Sequence, residues 1–481
     1  MKSTTSNNLL RRIPLWVILV IVFILALFAL WFFAARTQLP YSASRPLLYA
    51  HITENPPDLS INYTTGSWKS SVKLDHDADG NLIPYCGYFG NSNSFLSPAG
   101  DYFTLRTGAD QNQIRLYSTH GGSPVTLAGK TLSPSGFPVE GFSKSGKMFA
   151  YSTLEKDGKE VATRVVNLRG QELLKVTGAV FASFAPDESR LLVMPYNPTN
   201  GDVNGIVSVN LKGEQKALVS LTLGALTRQG LFTHPFYSAD GEQVYFFIEK
   251  KLYRISTLGG EPSVVYTFKQ AAGIAYLTPD GSRVALLDLA TDNSVALASQ
   301  YVPIRVAILD PKSGMVTDLS ENTPFTMSRE SFPILCEQSM TFSPNGKSLA
   351  VQVNGEKSTK LVLTDLEGKN PKTLAEAATF TFEFTPDSRY LLYTVRKDLM
   401  GPDFLRGSLY SQPVDGKAPV MIDENVFSFR VVPTGKEVIY ARTVQDLNQQ
   451  LTTEVFRANL DGTGKTSIAG GVPGLIAFLK N

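Results

Sequence analysis

The densest run of candidate ligands is Asp75-His76-Asp77-Ala78-Asp79-Gly80-Asn81-Leu82. Carboxylates at alternate positions converge on one cation, Gly80 supplies the sharp turn, and Leu82 stands where an EF-hand-like loop has its apolar residue. Asp75, Asp77 and Asp79 are therefore candidate Ca2+ ligands. The pattern breaks at its twelfth position, which is Cys86 instead of a bidentate Glu, so a solvated acidic turn is the competing reading. Cys86 and Cys336 are the chain's two cysteines and form a candidate disulfide, with two free buried thiols as the alternative. His51, His76, His120 and His234 show no spacing that would build a zinc site locally. The Gly-x-Ser-x-Gly elbow of a serine hydrolase is absent. Gly462-Thr463-Gly464-Lys465-Thr466 mimics a phosphate loop, but Asn459 stands where the first glycine belongs, and the segment reads as a turn between strands. A catalytic site would have to be assembled from residues distant in sequence, and no catalytic residue is assigned.

Those residues are set among a repeat. Phe342-Ser343-Pro344-Asn345-Gly346, Phe384-Thr385-Pro386-Asp387-Ser388, Phe184-Ala185-Pro186-Asp187-Glu188 and Leu277-Thr278-Pro279-Asp280-Gly281 are copies of one phrase. Weaker copies centre on Pro98, Lys144, Ala239 and Pro433, so that successive copies stand 40–65 residues apart. Each copy makes sense as a hairpin. An apolar strand ends at the aromatic, Pro presets φ, Asp or Asn tolerates the next corner, and Gly takes the left-handed position. A second strand follows, as in 348–353, then a third ending in a Gly turn, as in 360–365, then a shorter fourth. Four antiparallel strands per ~45 residues describe a propeller blade, and no sustained 3.6-residue periodicity competes.

The aromatic-Ser/Thr-Pro-Asp-Gly phrase resembles the WD-like repeats of TolB-type β-propellers over about residues 90–470. The resemblance implies an all-β fold of eight four-stranded antiparallel blades, nine on a literal count, and leaves function open, since such blades serve as scaffolds, lyases and gating domains. The ends of the domain are expected to share one blade. Gly474–Leu479 reads as a first strand without a following turn, and 46–50, 59–63 and 71–74 read as the second, third and fourth strands it lacks.

Ile13 to Phe33 is an unbroken apolar run without a charge, long enough to cross a ~30 Å hydrocarbon core. With Lys2, Arg11 and Arg12 before it, the expected order is a cytoplasmic tail at 1–12, a transmembrane signal-anchor helix at 13–35, a linker at 36–45 and an extracytoplasmic propeller at 46–481. The expected localisation is the cell membrane, single-pass, with the N-terminus cytoplasmic. The formal +2 charge arises before the span, and the rest of the chain has 42 basic against 43 acidic groups. That balance speaks against a nucleic-acid partner.

Loop lengths point to a site. First-to-second and third-to-fourth turns are short throughout, whereas 195–205, 288–303, 398–407, 444–452, 75–93 and 320–338 are long and emerge on the opposite side. The sequence thus predicts a binding or scaffolding module whose elaborated face takes a protein or cell-envelope ligand. The alternative is a cell-surface lyase- or hydrolase-type enzyme acting on carbohydrate or peptide at the propeller channel.

Overall fold

The computed structural model describes residues 47–54, 57–65, 68–73, 97, 101–107, 113–118, 123–132, 140–155, 158–221, 224–225, 234–268, 273–278, 281–289, 301–319, 325–328, 340–354, 358–377, 379–396, 407–432, 434–445, 451–470 and 472–478. The expected tail, span and linker lie outside these residues, as do Asp75, Asp77, Asp79, Cys86 and Cys336. Among the described residues no helix is long and apolar enough to cross a membrane. The regular elements are β-strands, paired antiparallel and mostly in sequence order.

One repeat shows the plan. Met340–Phe342 pairs with Ser348–Asn354, which pairs with Thr359–Asp365, which pairs with Lys372–Ala377. The same four-strand meander recurs in Ala179–Phe184, Arg190–Pro195, Ile206–Asn210 and Gln215–Val219, and in Phe236–Tyr237, Gln243–Ile248, Lys251–Ser256 and Ser263–Thr267. The sheet of Gly273–Leu277, Val284–Leu289, Tyr301–Leu309 and Val316–Asp318 follows the same order. The first repeat shows three strands, Tyr102–Thr107, Gln113–Ser118 and Val125–Thr126.

The second repeat and the C-terminal region depart from the four-strand rule. In the second repeat Glu140–Phe142 and Lys130–Thr131 both pair with Met148–Glu155, which pairs with Glu160–Asn167, which pairs in turn with Glu172–Thr177. Near the C-terminus seven strands, from Thr379–Phe384 to Thr466–Gly470, form one sheet. Here Val420–Val431 runs without a turn from fourth strand to first strand, bending at Asn425 (φ 57°), and Val426 pairs with both Gly407 and Arg442. Asn is among the few L-residues that adopt this left-handed conformation at modest cost.

The chain ends do share a sheet. Val472–Phe478 pairs with Leu47–Glu54 (Leu47↔Phe478, Ile52↔Val472), which pairs with Pro57–Thr65 and then Trp68–Lys73. The expected order of first strand from the C-terminus and three strands from the N-terminus is observed.

Burial follows the two-residue period of each strand but uses both faces. Phe149 and Tyr151 pack with Ile114 and Leu116 of the preceding sheet, while Met148 and Ala150 pack with Phe181, Leu191 and Val193 of the following one. Leu192 turns the other way, toward Val244 and Phe246, and Tyr245 faces Ala275, Val284 and Leu286. Further on, Leu391 and Tyr393 join Ala350 and Leu361, while Leu392 joins Val438 and Tyr440. Alternate side chains of a strand point to opposite faces, so each sheet is the filling between its two neighbours. Each fully buried Leu, Val or Phe contributes roughly 1.5–3 kcal/mol.

The repeated phrase is a hairpin with a buried hydroxyl at its centre. Gly346 N–H donates to the Ser343 carbonyl (2.8 Å) and Ser343 N–H donates to the Ser348 carbonyl (2.9 Å). The pair recurs at 143–148, 185–190, 238–243, 278–283, 385–390 and 432–437. The fourth residue of each turn has positive φ, and Glu188 and Ser388 take it without being glycine. Ser343 Oγ accepts from Ser348 N–H (2.9 Å) and bonds Asn345 Oδ1 (2.8 Å), while Thr385 Oγ1 accepts from Tyr390 N–H (3.0 Å) and donates to Asp387 Oδ1 (2.6 Å). The Ser/Thr position thus ties the turn to the start of the second strand from inside. Thr385→Val keeps the shape but leaves these partners unmatched in a buried place, so we expect a loss of about 1–3 kcal/mol, with Ser343→Ala alike, read from urea unfolding of each variant.

Candidate functional site

An antiparallel meander sends its first-to-second and third-to-fourth turns to one end, called here the turn face, and its other connections to the loop face. The turn face is trimmed as expected. Gly213, Gly259, Gly314 and Gly462 each donate an N–H back across a tight turn at 2.8–3.0 Å. Asn210 and Asp310 brace two of these turns, and Asp365 braces the equivalent turn at Gly368, by accepting backbone N–H groups on their side-chain oxygens. The phosphate-loop mimic is one of them: Thr463 N–H donates to Asp461 Oδ1 (2.9 Å) between strands Leu451–Asn459 and Thr466–Gly470.

The loop face is built, not merely long. Asp202–Val203 pairs with Gly224–Ala225, and the hairpin that leads into it, bridged from Tyr196 to Val203, is held by Gly201 N–H to the Asn197 carbonyl (2.8 Å) and Asn200 Nδ2 to Asp202 Oδ2 (2.5 Å). Burial pushes the Tyr196 hydroxyl above its ordinary value beside this hairpin. Phe325–Ser328, inside what reads in the sequence as a loop, adds to the sheet edge along Tyr301–Ile304. Lys130–Thr131 likewise adds to Thr153 and Leu154. These short strands satisfy backbone groups that irregular loops would leave to water, which fixes the shape of the face.

Ionisable side chains also gather along the first strands. Glu383 lies at the turn-face end of Thr379–Phe384, with Oε2 at 3.4 Å from Val431 N–H and 4.0 Å from Arg430 Nη1 of the next first strand. Its side chain is half-buried, with 35% of its surface accessible. Burial raises its carboxyl above the ordinary value, and Arg430 and the Val431 amide offset only part of that. His234 enters the first strand of its sheet from the loop-face end, and burial lowers its imidazole from 6.5 to about 4. Both groups are thereby biased to the neutral form.

A third cluster joins the merged sheets. Asp423 is buried and accepts from Tyr440 O–H (2.6 Å) and Glu424 N–H (2.9 Å), with Arg442 at 3.3 Å and Lys465 at 3.5 Å. Burial raises its carboxyl, but Tyr440, the Glu424 amide and the two cations together lower it below its ordinary value. Arg442 lies over the Phe456 ring at 5.2 Å, which stacks on Tyr440 at 5.7 Å. Every polar atom of the Asp423 carboxylate is thus engaged in joining two sheets.

Of the residues singled out in the sequence, Asp75, Asp77, Asp79, Cys86 and Cys336 lie outside the described residues. Among the described residues no group of three or more His, Cys, Asp or Glu could hold a metal ion. Glu383 and Arg430 were not singled out by sequence. Their signal lay in the repeat, because both stand one residue before the end of the first strand, where other copies have Gly141, Ser183, Phe236 and Thr341.

No protein-family model matches the chain. No curated protein matches it in sequence. Solved structures similar in fold include an oligogalacturonate lyase in complex with manganese (15% identity, 66% of this chain and 88% of that chain, TM-score 0.40). A putative TolB from Agrobacterium tumefaciens matches at 17% identity over 59% of this chain and 90% of that chain, TM-score 0.32. Porphyromonas gingivalis dipeptidyl peptidase 4 matches at 12% over 80% of this chain and 60% of that chain, TM-score 0.48. Identities and scores of this size assign the chain no activity.

His234 generates a pH dependence. Its folded value lies below its unfolded one, so its stabilising contribution is complete above about 6.5 and is lost as pH falls toward about 4. Urea unfolding of the wild type should lose about 2–3 kcal/mol relative to His234→Gln across that interval. Parallel pH profiles for the two proteins would show the assignment to be wrong.

Proposed function

We propose that the chain is a single-pass, membrane-anchored β-propeller of nine blades whose loop face binds a protein or cell-envelope ligand. The observation that carries the binding role is the asymmetry of the two faces: tight, braced turns on one, and ordered added strands at 202–203, 224–225 and 325–328 on the other. Elaboration confined to one face of a repeated scaffold is where recognition surfaces reside.

The ring is supported by contacts between successive first-to-second turns. Ser145 Oγ donates to Glu188 (2.8 Å) of the next turn, and Asn345 N–H donates to Ser388 Oγ (3.0 Å) of its successor. A Cβ on Gly281 would come within 2.4 Å of Ala239 Cβ, and one on Gly435 within 3.5 Å of the Asp387 carboxyl. The count of nine blades takes the seven-stranded sheet as two and the shared terminal sheet as one, and leaves out the two-stranded sheet of 202–203 and 224–225. The apolar run 13–33 supplies the anchor, and the propeller is extracytoplasmic.

Ca2+ at Asp75, Asp77 and Asp79 and a Cys86–Cys336 disulfide belong to this proposal as features of the loop face, since 75–93 and 320–338 both connect fourth to first strands. A second reading, an enzyme of carbohydrate or peptide, is favoured by the enclosed Glu383 beside Arg430 and would place its acid on an innermost strand.

Proximity labelling from the full chain in intact membranes tests the binding role. Replacing Asn197, Asn200 and Asp202 by Ala should abolish labelling of the main partners, and Lys312→Ala on the turn face should not. Equal labelling by both variants would refute the loop-face site, and turnover of oligosaccharide or peptide that is lost in Glu383→Gln would establish the second reading instead.

A further inference from the structure

The exposed large apolar side chains are not scattered at random over the surface. Among the described residues they are Leu173, Leu221, Leu258, Val264, Met315, Val420 and Met421. All but Leu221 lie in a third-to-fourth turn or within five residues after its glycine, at the start of a fourth strand. That position places them at the rim of the turn face. Leu258, 85% exposed, sits just before Gly259 (φ 90°) and Gly260 (φ 116°), so the backbone holds it outward on a turn with nothing to cover it. Met315, 63% exposed, follows Gly314 at the equivalent place in the next sheet. Arg254 Nη1 bonds the Pro311 carbonyl (2.9 Å) and so joins the two sheets that carry these tips.

Single exposed apolar residues are normal and need no explanation. A bias of this kind toward one end of one strand type does. The six residues belong to four different sheets, so they form a discontinuous rim, not a patch. A groove or pocket on a protein partner engages a contiguous patch, whereas separated tips around one face match a flat apolar boundary.

The point of chain entry identifies that boundary. Leu47 pairs with Phe478 at the end of a first strand, which is the turn-face end of the sheet. The polypeptide therefore enters the domain from the turn face. The linker before it spans ten residues, 36–45, and reaches at most about 36 Å. On the proposed ring, the sheets bearing Leu258 and Met315 are the fourth and fifth after the entry sheet, across the face from the tether.

We propose that the turn face lies on the bilayer surface, with Leu258 and Met315 inserted among the lipid headgroups and upper acyl chains and the other rim residues completing the footprint. This rests on the anchored-propeller reading above. The tether confines the face near the membrane, so weak insertion at each tip suffices to hold the orientation. Apolar tips flanked by charged residues suit the interface, where the charges stay hydrated. The charges on these turns cancel locally, as Lys212 with Glu214, Lys312 with Asp310 and Lys417 with Asp415. Adsorption therefore needs no anionic lipid, and the loop face is presented away from the membrane.

The test uses the full chain in phosphatidylcholine vesicles, with tryptophan introduced singly as Leu258→Trp, Met315→Trp or Leu221→Trp and the wild-type emission of Trp16, Trp31 and Trp68 subtracted. Lipids brominated near the glycerol end of the acyl chains should remove at least about a third of the added emission at 258 and 315 and almost none at 221. Each variant is first shown to melt with the wild type, which exposed positions permit. Quenching at 258 and 315 no greater than at 221 overturns the proposal. So does emission at 258 and 315 that changes with protein concentration without bromolipid quenching, which assigns the rim to a second copy of the chain. Alkaline carbonate extraction of the same vesicles separates the two readings. A chain that resists extraction but shows no quenching keeps its anchor and loses the surface orientation, whereas an extracted chain whose tips are still quenched loses the anchor and keeps it.

Discussion

A sheet that is apolar on both faces cannot stand at the end of a stack, and the rest of this structure depends on that constraint. Phe149 and Met148, adjacent in one strand, belong to different cores, and so do Leu191 and Leu192, or Leu391 and Leu392. Every central strand therefore requires a sheet before it and a sheet after it. In an open stack the first and last sheets would each leave a face of Val, Leu and aromatic side chains in water, at roughly 1.5–3 kcal/mol for each large residue exposed. On the proposed ring, closure removes both exposed faces at once, and the sheet built from both chain ends, whose strands at 47–54 and 472–478 are hydrogen-bonded, supplies the means.

Close lateral packing in turn sets what the two ends of each sheet can be. Turns between first and second strands touch the turns of neighbouring sheets, as Ser145 does Glu188 and Asn345 does Ser388, so they cannot lengthen without collision. Their geometry is held from within by a buried hydroxyl, and where Ala185 lacks it the turn keeps its backbone bonds and draws on Asp187, whose carboxylate is bonded by Ser189 instead. The opposite end has no such crowding. Its connections range from the single residue Gly178 to segments that add strands of their own, and variation there costs the stack little.

Much of this was legible in the sequence because each rule is local. The aromatic-Ser/Thr-Pro-Asp-Gly phrase specifies a hairpin through φ preferences alone, and its recurrence gives the order of the sheets. The shared terminal sheet was legible for the same reason, since 474–479 reads as a first strand in search of a second. What was not legible depends on neighbours. The role of the Ser/Thr hydroxyl requires knowing that the turn is buried, and the merging of two sheets follows from Asn425 carrying the bend that a longer connection makes elsewhere. Phe325–Ser328 reads as loop because its apolar content is no higher than its surroundings, and it becomes a strand by finding an open edge at Tyr301–Ile304. Glu383 looks like an ordinary solvated acid until Arg430 and Val431 of the next sheet close over it.

The direction in which the enclosed groups titrate bears on which function the inner strands can serve. General acid–base chemistry at neutral pH works best with a pair in which one member is charged and one is neutral, held within reach of the same atoms. Here burial moves Glu383 up and His234 down, so both are driven toward neutrality, and the nearby guanidinium of Arg430 does not reverse the shift of Glu383. The fully charged carboxylate of this region, Asp423, is the one already saturated by Tyr440, the Glu424 amide, Arg442 and Lys465, which leaves it no lone pair to offer a substrate. An interior that neutralises its ionisable groups, or consumes their bonds in joining sheets, is organised to be stable. On that argument the first strands serve to hold the sheets together, which accords with the proposal that recognition falls to the face whose loops the packing leaves free.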